Sequence, residues 1–473
     1  FFYVAIYRQE ISGKLKKFLL FSALFIVNCL AFIYWRMFLF EARRASVDVG
    51  GMLGEYQDFF PKLVSTTSDL FVNLYRQIVS AYYEPFTVFS KNIPTSDLLI
   101  GLALSLAVAC LVVFLIRKLN TGSTIASQSS KGYSVSLILI GLAGAIGALI
   151  PIVFAGREIT YVLSGDRFSY PGAIPASMLI VGLIALVKKS VVRDSLAFVL
   201  IFIGLLTQFT NDYIFRLNYI ETNQTWWQLA WRAPQIEKTT LISGNVAYGM
   251  NDEDYTFWAP ANMIYYPEER DLQITAEVLL DSTKAVFFAQ GSDTYTRKTI
   301  TFDRDFSNLL ILTKTRSSCL HVIDGKHPEF SQTDPDYVRE VGLLSDISRI
   351  DAASAYDPRP REDLFGPEPA KSWCYYYQKA QLARQQRNWT QTAAYGDQAL
   401  DASYSPADPM EWLVFLQAFA YTGDTRYEQV KQLVVDDAFA SDQACGVFST
   451  YTEEMAGTDY QDEHERLIRD VCQ

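Results

Sequence analysis

The stretch AGREITYVLSGDRFSYPG brings Arg157, Glu158, Asp166, Arg167 and Tyr170 into one short loop between two long apolar runs. Charges at the margin of a hydrocarbon layer are costly unless they are solvated, paired or used. The residue types suit one kind of chemistry. A guanidinium fork meets phosphate oxygens in pairs, which an ammonium does not. Arg157 and Arg167 are therefore read as ligands for a phosphate lying at the interface. Glu158 and Asp166 would orient the guanidinia or hold a divalent cation, and Tyr170 would lie against the bound group. A purely structural account competes: Asp166 caps the following helix and Arg167 snorkels to head groups. Pro171 and Pro175 suit the start of that helix, where a missing amide donor is harmless.

Other motifs carry less. Cys319 and His321 in SSCLHVIDG alternate onto one face of a predicted strand. A thiol–imidazole pair is conceivable there, but a core strand is the stronger reading. His321, His327 and His464 make no metal set by spacing, and there is no CxxC. No GxSxG, phosphate-binding loop or dinucleotide fingerprint occurs. The acids Asp252, Glu253 and Asp254 fall in a turn and read as solvated, with a cation or sugar contact as the lesser reading. No cofactor is specified beyond the divalent cation that the loop acids allow.

Apolar runs long enough to cross a bilayer set the framework around the loop. Five are read, near 18–40, 97–116, 134–155, 172–187 and 195–210. FFYVAIYR at the start resembles the tail of an earlier span, so the chain is expected to be the C-terminal part of a longer polytopic protein. Gly141, Gly144 and Gly147 in ILIGLAGAIGALIP suit close helix packing. The basic clusters Lys14–Lys16–Lys17, Arg117–Lys118–Lys131 and Lys188–Lys189–Arg193 alternate along the spans. They assign those loops to the cytoplasm. Residues 41–96, the GDRFSYPG loop and everything after about 211 then face outward. The 41–96 segment has helical apolar spacing at Leu70, Phe71, Leu74 and Ile78, flanked by Tyr75, Tyr82, Tyr83, Phe86 and Phe89. It is read as an interfacial helix or as one packed over the bundle.

Charge divides the chain. Of the formal net −11, residues 1–210 carry +7 and the remainder −18. An acidic outward part without a basic stripe excludes nucleic acid as a partner. Cys319, Cys374, Cys445 and Cys472 lie in that part and permit two disulfides in any of three pairings, or free thiols. Segments around TTLISGNV, TYTRKTITFDRD, NLLILTK and CLHVIDG alternate like strands, while DLQITAEVLLDSTKAVFFAQG reads as helix then strand. The Pro- and Asp-rich DPRPREDLFGPEPA marks a linker. From 372 the chain is helical, with turns near Asn388 and at Gly423-Asp424. Ala380 and Ala418 take equivalent small positions, as do Ala383 and Tyr421 one turn later.

The expected fold is an α-helical membrane bundle of about five spans, followed by an outward α/β domain and a C-terminal α-helical repeat segment. Its expected boundaries are 1–214 for the bundle, with the outer helix in 41–96, 215–330 for the α/β domain, 331–371 for a linker and 372–473 for a tetratricopeptide-like domain.

In that setting DRFSYPGAIPASMLIVGLIAL resembles the segment that opens a late span in multi-span glycosyltransferases of the GT-C type with tetratricopeptide tails. The matching positions are Asp166, Arg167, Phe168, Tyr170 and Pro171. The pattern departs from the family in that Tyr170 directly precedes Pro171. The resemblance implies an integral membrane enzyme of the cell envelope. It would move a sugar from a polyprenyl phosphate to an extracytoplasmic acceptor, with its catalytic acid in a loop outside this chain, membrane lipid around it and a protein partner for the helical tail. The alternative is a non-catalytic membrane anchor that presents the helical tail for protein or envelope assembly.

Overall fold

The computed structural model describes residues 59–120, 130–161, 163–246, 253–297, 300–315 and 318–472, with isolated positions between 23 and 35. The expected span at 18–40 lies outside the described residues. The chain divides into two compact units, Phe1–Arg216 and Leu217–Gln473.

In the first unit α1 (Phe59–Ile78) and the short α2 (Glu84–Phe89) precede three helices, α3 (Thr95–Asn120), α4 (Ser130–Phe154) and, after a 3-10 segment at Leu163–Gly172, α5 (Ala173–Ala185). The 43-residue α6 (Ser190–Arg232) follows and runs on into the second unit. Four stretches among the described residues are long and apolar enough to cross a membrane: Thr95–Lys118, Gly132–Phe154, Gly165–Ala185 and Ser190–Arg232. At 1.5 Å per residue a 24-residue helix is about 36 Å long, enough for a hydrocarbon core of about 30 Å. The third stretch begins at Gly165, earlier than 172, because the 3-10 segment runs directly into α5.

Leu99, Leu104, Leu111, Phe114, Ile174 and Val191 are exposed on these helices. In water such an apolar surface would be a liability; in lipid it is the matching one. Backbone proximity holds α4 to α5. A Cβ at Gly141 would meet the backbone of Pro175 and Leu179, and one at Gly182 would meet Ile138 and the Ser134 carbonyl. Gly144 abuts Pro175, whereas Gly147 faces open space, so two of the three glycines expected to pack do so. The connections alternate in side. Arg117 at the end of α3 pairs with Asp194 at the start of α6 at 2.7 Å, while α1 packs on the opposite ends, at the loop after α4. The chain is thus an integral membrane protein with an extramembranous portion.

The second unit opens with the last turns of α6, whose Trp226 and Leu229 enter its core. A four-stranded sheet has the order β2-β1-β5-β6. β1 (Leu241–Val246) lies parallel to β2 (Thr275–Ala276) and to β5 (Leu309–Lys314), and β6 (His321–Val322) is antiparallel to β5. Both faces are covered, as a parallel sheet requires. On one side α7 (Tyr255–Tyr265) packs with α6. On the other lie α8 (Lys284–Phe288) and α9 (Asp336–Gly342). A separate hairpin, β3 (Ser292–Arg297) and β4 (Ile300–Asp305), is antiparallel. Asp254 caps α7 by accepting from Tyr255 N, and Glu253 pairs with Arg297, so two of the three acids in that turn have structural work.

Two expectations are corrected. In DLQITAEVLLDSTKAVFFAQG the strand precedes the helix, because Thr275 and Ala276 are recruited by the edge of β1. The stretch 331–371, expected as a linker wrapped over a surface, contributes to the core as well: Val338 and Val341 pack under the sheet, Ile350 bridges to Ile236, and Phe365 of α10 (Glu362–Phe365) is buried beside α6.

The C-terminal part is helix-rich: α11 (Trp373–Gln385), α12 (Trp389–Asp401), α13 (Leu413–Thr422), α14 (Tyr427–Val435), α15 (Ala438–Thr450), α16 (Thr452–Met455) and α17 (Gln461–Val471). Asn388 caps α12 through Gln391 N, and Gly423 ends α13 with φ +65°, a left-handed cap that glycine takes without strain. Ala380, Ala418 and Tyr421 are buried in one aromatic-rich core, and Ala383 is also buried.

Cys319 is bonded to Cys374 and Cys445 to Cys472, which selects one of the three pairings. The first tie joins the sheet to α11 and the second joins α15 to the chain end. Non-reducing peptide mapping of the full chain is expected to recover these two cross-links and no others among the four cysteines. Replacing both Cys319 and Cys374 by Ser should lower unfolding stability by about 2–5 kcal/mol, read by denaturant titration.

Candidate functional site

The loop after α4 is built by α1. Asn73, Arg76 and Gln77 stand at helical spacing and form one polar stripe. Asn73 Oδ1 accepts from Ile159 N at 2.7 Å. Arg76 Nη1 donates to Glu158 Oε2 at 2.7 Å and to the Ile159 carbonyl at 3.1 Å. Gln77 Nε2 donates to the Ser169 carbonyl at 3.1 Å, and a Cβ on Gly172 would collide with the Gln77 amide. Tyr161 returns the contact through its hydroxyl to the Arg76 carbonyl. Ile159, Tyr161 and Leu149 make a small core with Leu70 and Leu74 beneath.

This scaffold treats the five predicted residues differently. Arg157 follows Gly156, whose φ of +62° ends α4, and its side chain is exposed. Glu158 is engaged by Arg76. Asp166 sits half-buried in the first turn of the 3-10 segment, where a negative charge suits the local dipole. It does not cap α5, whose N-cap residue is Gly172. Arg167 is exposed with its guanidinium 5.1 Å from the Phe168 ring centre, and Tyr170 is 83% exposed. Neither Arg157 nor Arg167 forms an ion pair among the described residues. The loop thus offers two free cations and an exposed aromatic on one rigid rim. In the same unit an apolar groove of about 580 Å³ runs between α3, α5 and α6, past Ile116, Ile180, Ile184, Leu200 and Gly204, with Tyr82 on its wall.

A second polar site lies wholly in the second unit. A cavity of about 320 Å³ is walled by the end of α6, the segment after β6, α11, and the α15–α16 junction. Its construction begins at Cys319 and Leu320, just before the two-residue edge strand β6 and outside its ladder. Side chains supply their backbone partners: Glu411 Oε1 accepts from Cys319 N at 2.6 Å, Gln228 Oε1 accepts from Leu320 N at 2.7 Å, and Gln378 Nε2 donates to the Leu320 carbonyl at 2.6 Å. Glu411 Oε2 also accepts from Trp373 Nε1 at 2.5 Å. His321 is thereby held in the cavity wall, buried, its Nε2 3.5 Å from Glu411. Burial opposes a charge on the ring, but Glu411, Asp408 and Asp334 outweigh it and bring its pKa up to about 9. His321, Asp408 and Glu411 place ligand atoms within 4.8 Å of one another, a spacing that suits a divalent cation as well as a protonated ring. Both Glu411 oxygens are already committed to N–H donors, which favours the protonated ring.

The cavity also holds arginines. Arg384 donates to Glu329 at 2.6 Å and to Gln381, which in turn bonds Glu329 and Tyr377. Arg387 and His327 share Glu454 at the rim, and His327 stacks on Tyr451 with ring centres 3.6 Å apart. Arg232, the last residue of α6, is 3% exposed and bonds the neutral Gln385 at 2.7 Å.

None of these residues was singled out from the sequence as a site except His321, and then only beside Cys319, which is in fact disulfide-bonded. The one legible signal was composition: a strand histidine in an acidic domain. Compared with models of known families, with curated proteins and with solved structures, the chain gives no match.

Replacing Glu411 by Gln puts an amide N–H against a buried donor and removes the charge facing His321. It should cost about 3 kcal/mol of stability, measured by denaturant unfolding followed through tryptophan fluorescence; an unchanged midpoint would remove Glu411 from this role.

Proposed function

We propose that the chain forms the membrane-embedded C-terminal part of a glycosyltransferase that takes a sugar from a polyprenyl phosphate and passes it to an extracytoplasmic acceptor. The observation that carries this reading is the pair of exposed guanidinia, Arg157 and Arg167, neither in an ion pair among the described residues, on a rim stiffened from below by Asn73, Arg76 and Gln77. In this reading the two arginines neutralise the leaving phosphate, where fixed cations stabilise developing negative charge most effectively. Tyr170 lies against the sugar or the lipid neck. Glu158 serves by fixing Arg76, and Asp166 by setting the first turn of the 3-10 segment. The apolar groove along α5 and α6 has the chemistry of an isoprenoid tail. The disulfides support an oxidising, extracytoplasmic location for the second unit. The helix-rich tail, of tetratricopeptide-like character, would recruit the acceptor or a protein partner. No residue of this chain is assigned as the base.

One observation favours the other reading, a membrane-anchored scaffold without catalysis. Glu158 is spent on Arg76, and the Arg167 guanidinium lies close to Phe168, so these two side chains have structural partners without a ligand.

Arg167→Ala and Arg157→Ala are each expected to reduce transfer from a polyprenyl-phosphate sugar about a hundredfold or more, in membranes where the variants insert at wild-type levels. Wild-type rates in the double variant would leave the scaffold reading standing. Arg76→Ala should also lower transfer, by loosening the rim, and it should lower thermal stability, which the two exposed substitutions should not.

A further inference from the structure

The cavity lining sets four cations, Arg232, Lys326, Arg384 and Arg387, against four acids, Asp324, Glu329, Asp346 and Glu454, yet one of the cations is buried with no acid in contact. Around it Arg384 is matched by Glu329, and Arg387 by Glu454. Asp324 is turned to Lys326 N, and Asp346 to the backbone and hydroxyl of Ser348. Arg232 has no such match. It is nine-tenths buried and more, and forms no ion pair among the described residues. Among the described residues its polar partner is Gln385, which is pinned by donating Nε2 to the Ile347 and Ile350 carbonyls, so that only its neutral oxygen faces the guanidinium. Burial, and then the neighbouring Arg384, lower the Arg232 pKa to about 10. A buried cation beside a second cation is an expensive arrangement with no stabilising return. It is sustained in binding sites, where the counter-ion arrives with the ligand.

We propose that this cavity binds a small hydroxylated monoanion, a carboxylate of monosaccharide size such as a uronic acid, with the carboxylate seated on Arg232. Size and charge both argue for it. About 320 Å³ sits at the small end of ligand pockets. One buried guanidinium with no contacting carboxylate, and only the more distant Asp324 acting on it, leaves room for one anionic group, and the fork accepts a carboxylate through two parallel bonds. The remaining wall carries polar side chains that suit hydroxyl groups, among them Glu454, Asp324 and Gln381. The site lies entirely in the second unit and does not depend on the transferase reading.

The test uses the full chain in detergent at fixed ionic strength, with thermal unfolding and calorimetric titration against glucuronate, glucose and inorganic phosphate. Saturable binding of glucuronate with glucose at least tenfold weaker is the expected result. Arg232→Gln should lose glucuronate affinity at least tenfold, while the ligand-free protein becomes no less stable, since an unmatched buried charge has been removed. Arg387→Gln, an exposed rim substitution that leaves the core intact, should weaken binding severalfold and keeps the test valid if the Arg232 variant fails to fold. Arg359→Gln, exposed elsewhere, should change nothing. Equal binding of glucose and glucuronate, binding of phosphate alone, or no saturable response to any probe would each overturn the proposal. So would a ligand-free Arg232→Gln protein that is folded but markedly less stable, because Arg232 would then be a structural cation.

Discussion

A single carboxylate with no exposed surface holds the second unit together. Glu411 joins three parts of the chain that are distant in sequence: its own turn before α13, the approach to β6 through Cys319 N and the nearby His321, and helix α11 through Trp373 Nε1. The reason lies just before β6. Cys319 and Leu320 are outside the ladder, and a buried unpaired amide costs as much as a lost hydrogen bond. Glu411, Gln228 and Gln378 provide the missing partners, and each comes from a helix or helical turn. The sheet and the helical tail are thus one folded body, with the cavity at their seam. Hydrophobic burial supplies most of the stabilisation, but it is non-directional; the polar side chains fix the register in which the layers meet.

The membrane unit solves the opposite problem. Its surroundings are as apolar as its own side chains, so burial of Leu and Ile gives little preference for one helix arrangement over another. Glycine contacts and a few polar stripes decide instead. Gly141 and Gly182 let α4 and α5 approach backbone to backbone, and the Asn73–Arg76–Gln77 stripe clamps the loop that follows. An exposed residue on that loop is therefore exposed on a rigid support, a condition that binding sites need.

How far the sequence could be read follows from the range of each interaction. Hydropathy runs reported four of the spans, because crossing a bilayer is a property of about 20 contiguous residues. The turn at Asn388 and the Gly423 turn were legible for the same local reason, and so was the strand-like alternation of TYTRKTITFDRD, though not its pairing as a hairpin. The strand at Thr275–Ala276 was not, since it exists only as an addition to the edge of β1. The stretch 331–371 misled because its Pro and Asp content describes its exposed turns, while Val338, Val341 and Phe365 are read only against the sheet and helix they pack on. At the loop, residue types and the separation of Arg157 from Arg167 were visible in the chain, but the clamp from α1 was not. The cavity was invisible altogether. Arg232, His321, Arg384 and Tyr451 come from four separated segments, and nothing in local spacing links them.

That dispersal has a consequence for biosynthesis. The cavity wall starts at the end of α6 and is finished only by Tyr451 and Glu454, late in the second unit. A ribosome delivering the chain in order therefore releases nearly all of the second unit before the pocket can exist. Any truncation that removes α15 and α16 would yield a product with its spans intact and its pocket open on one side.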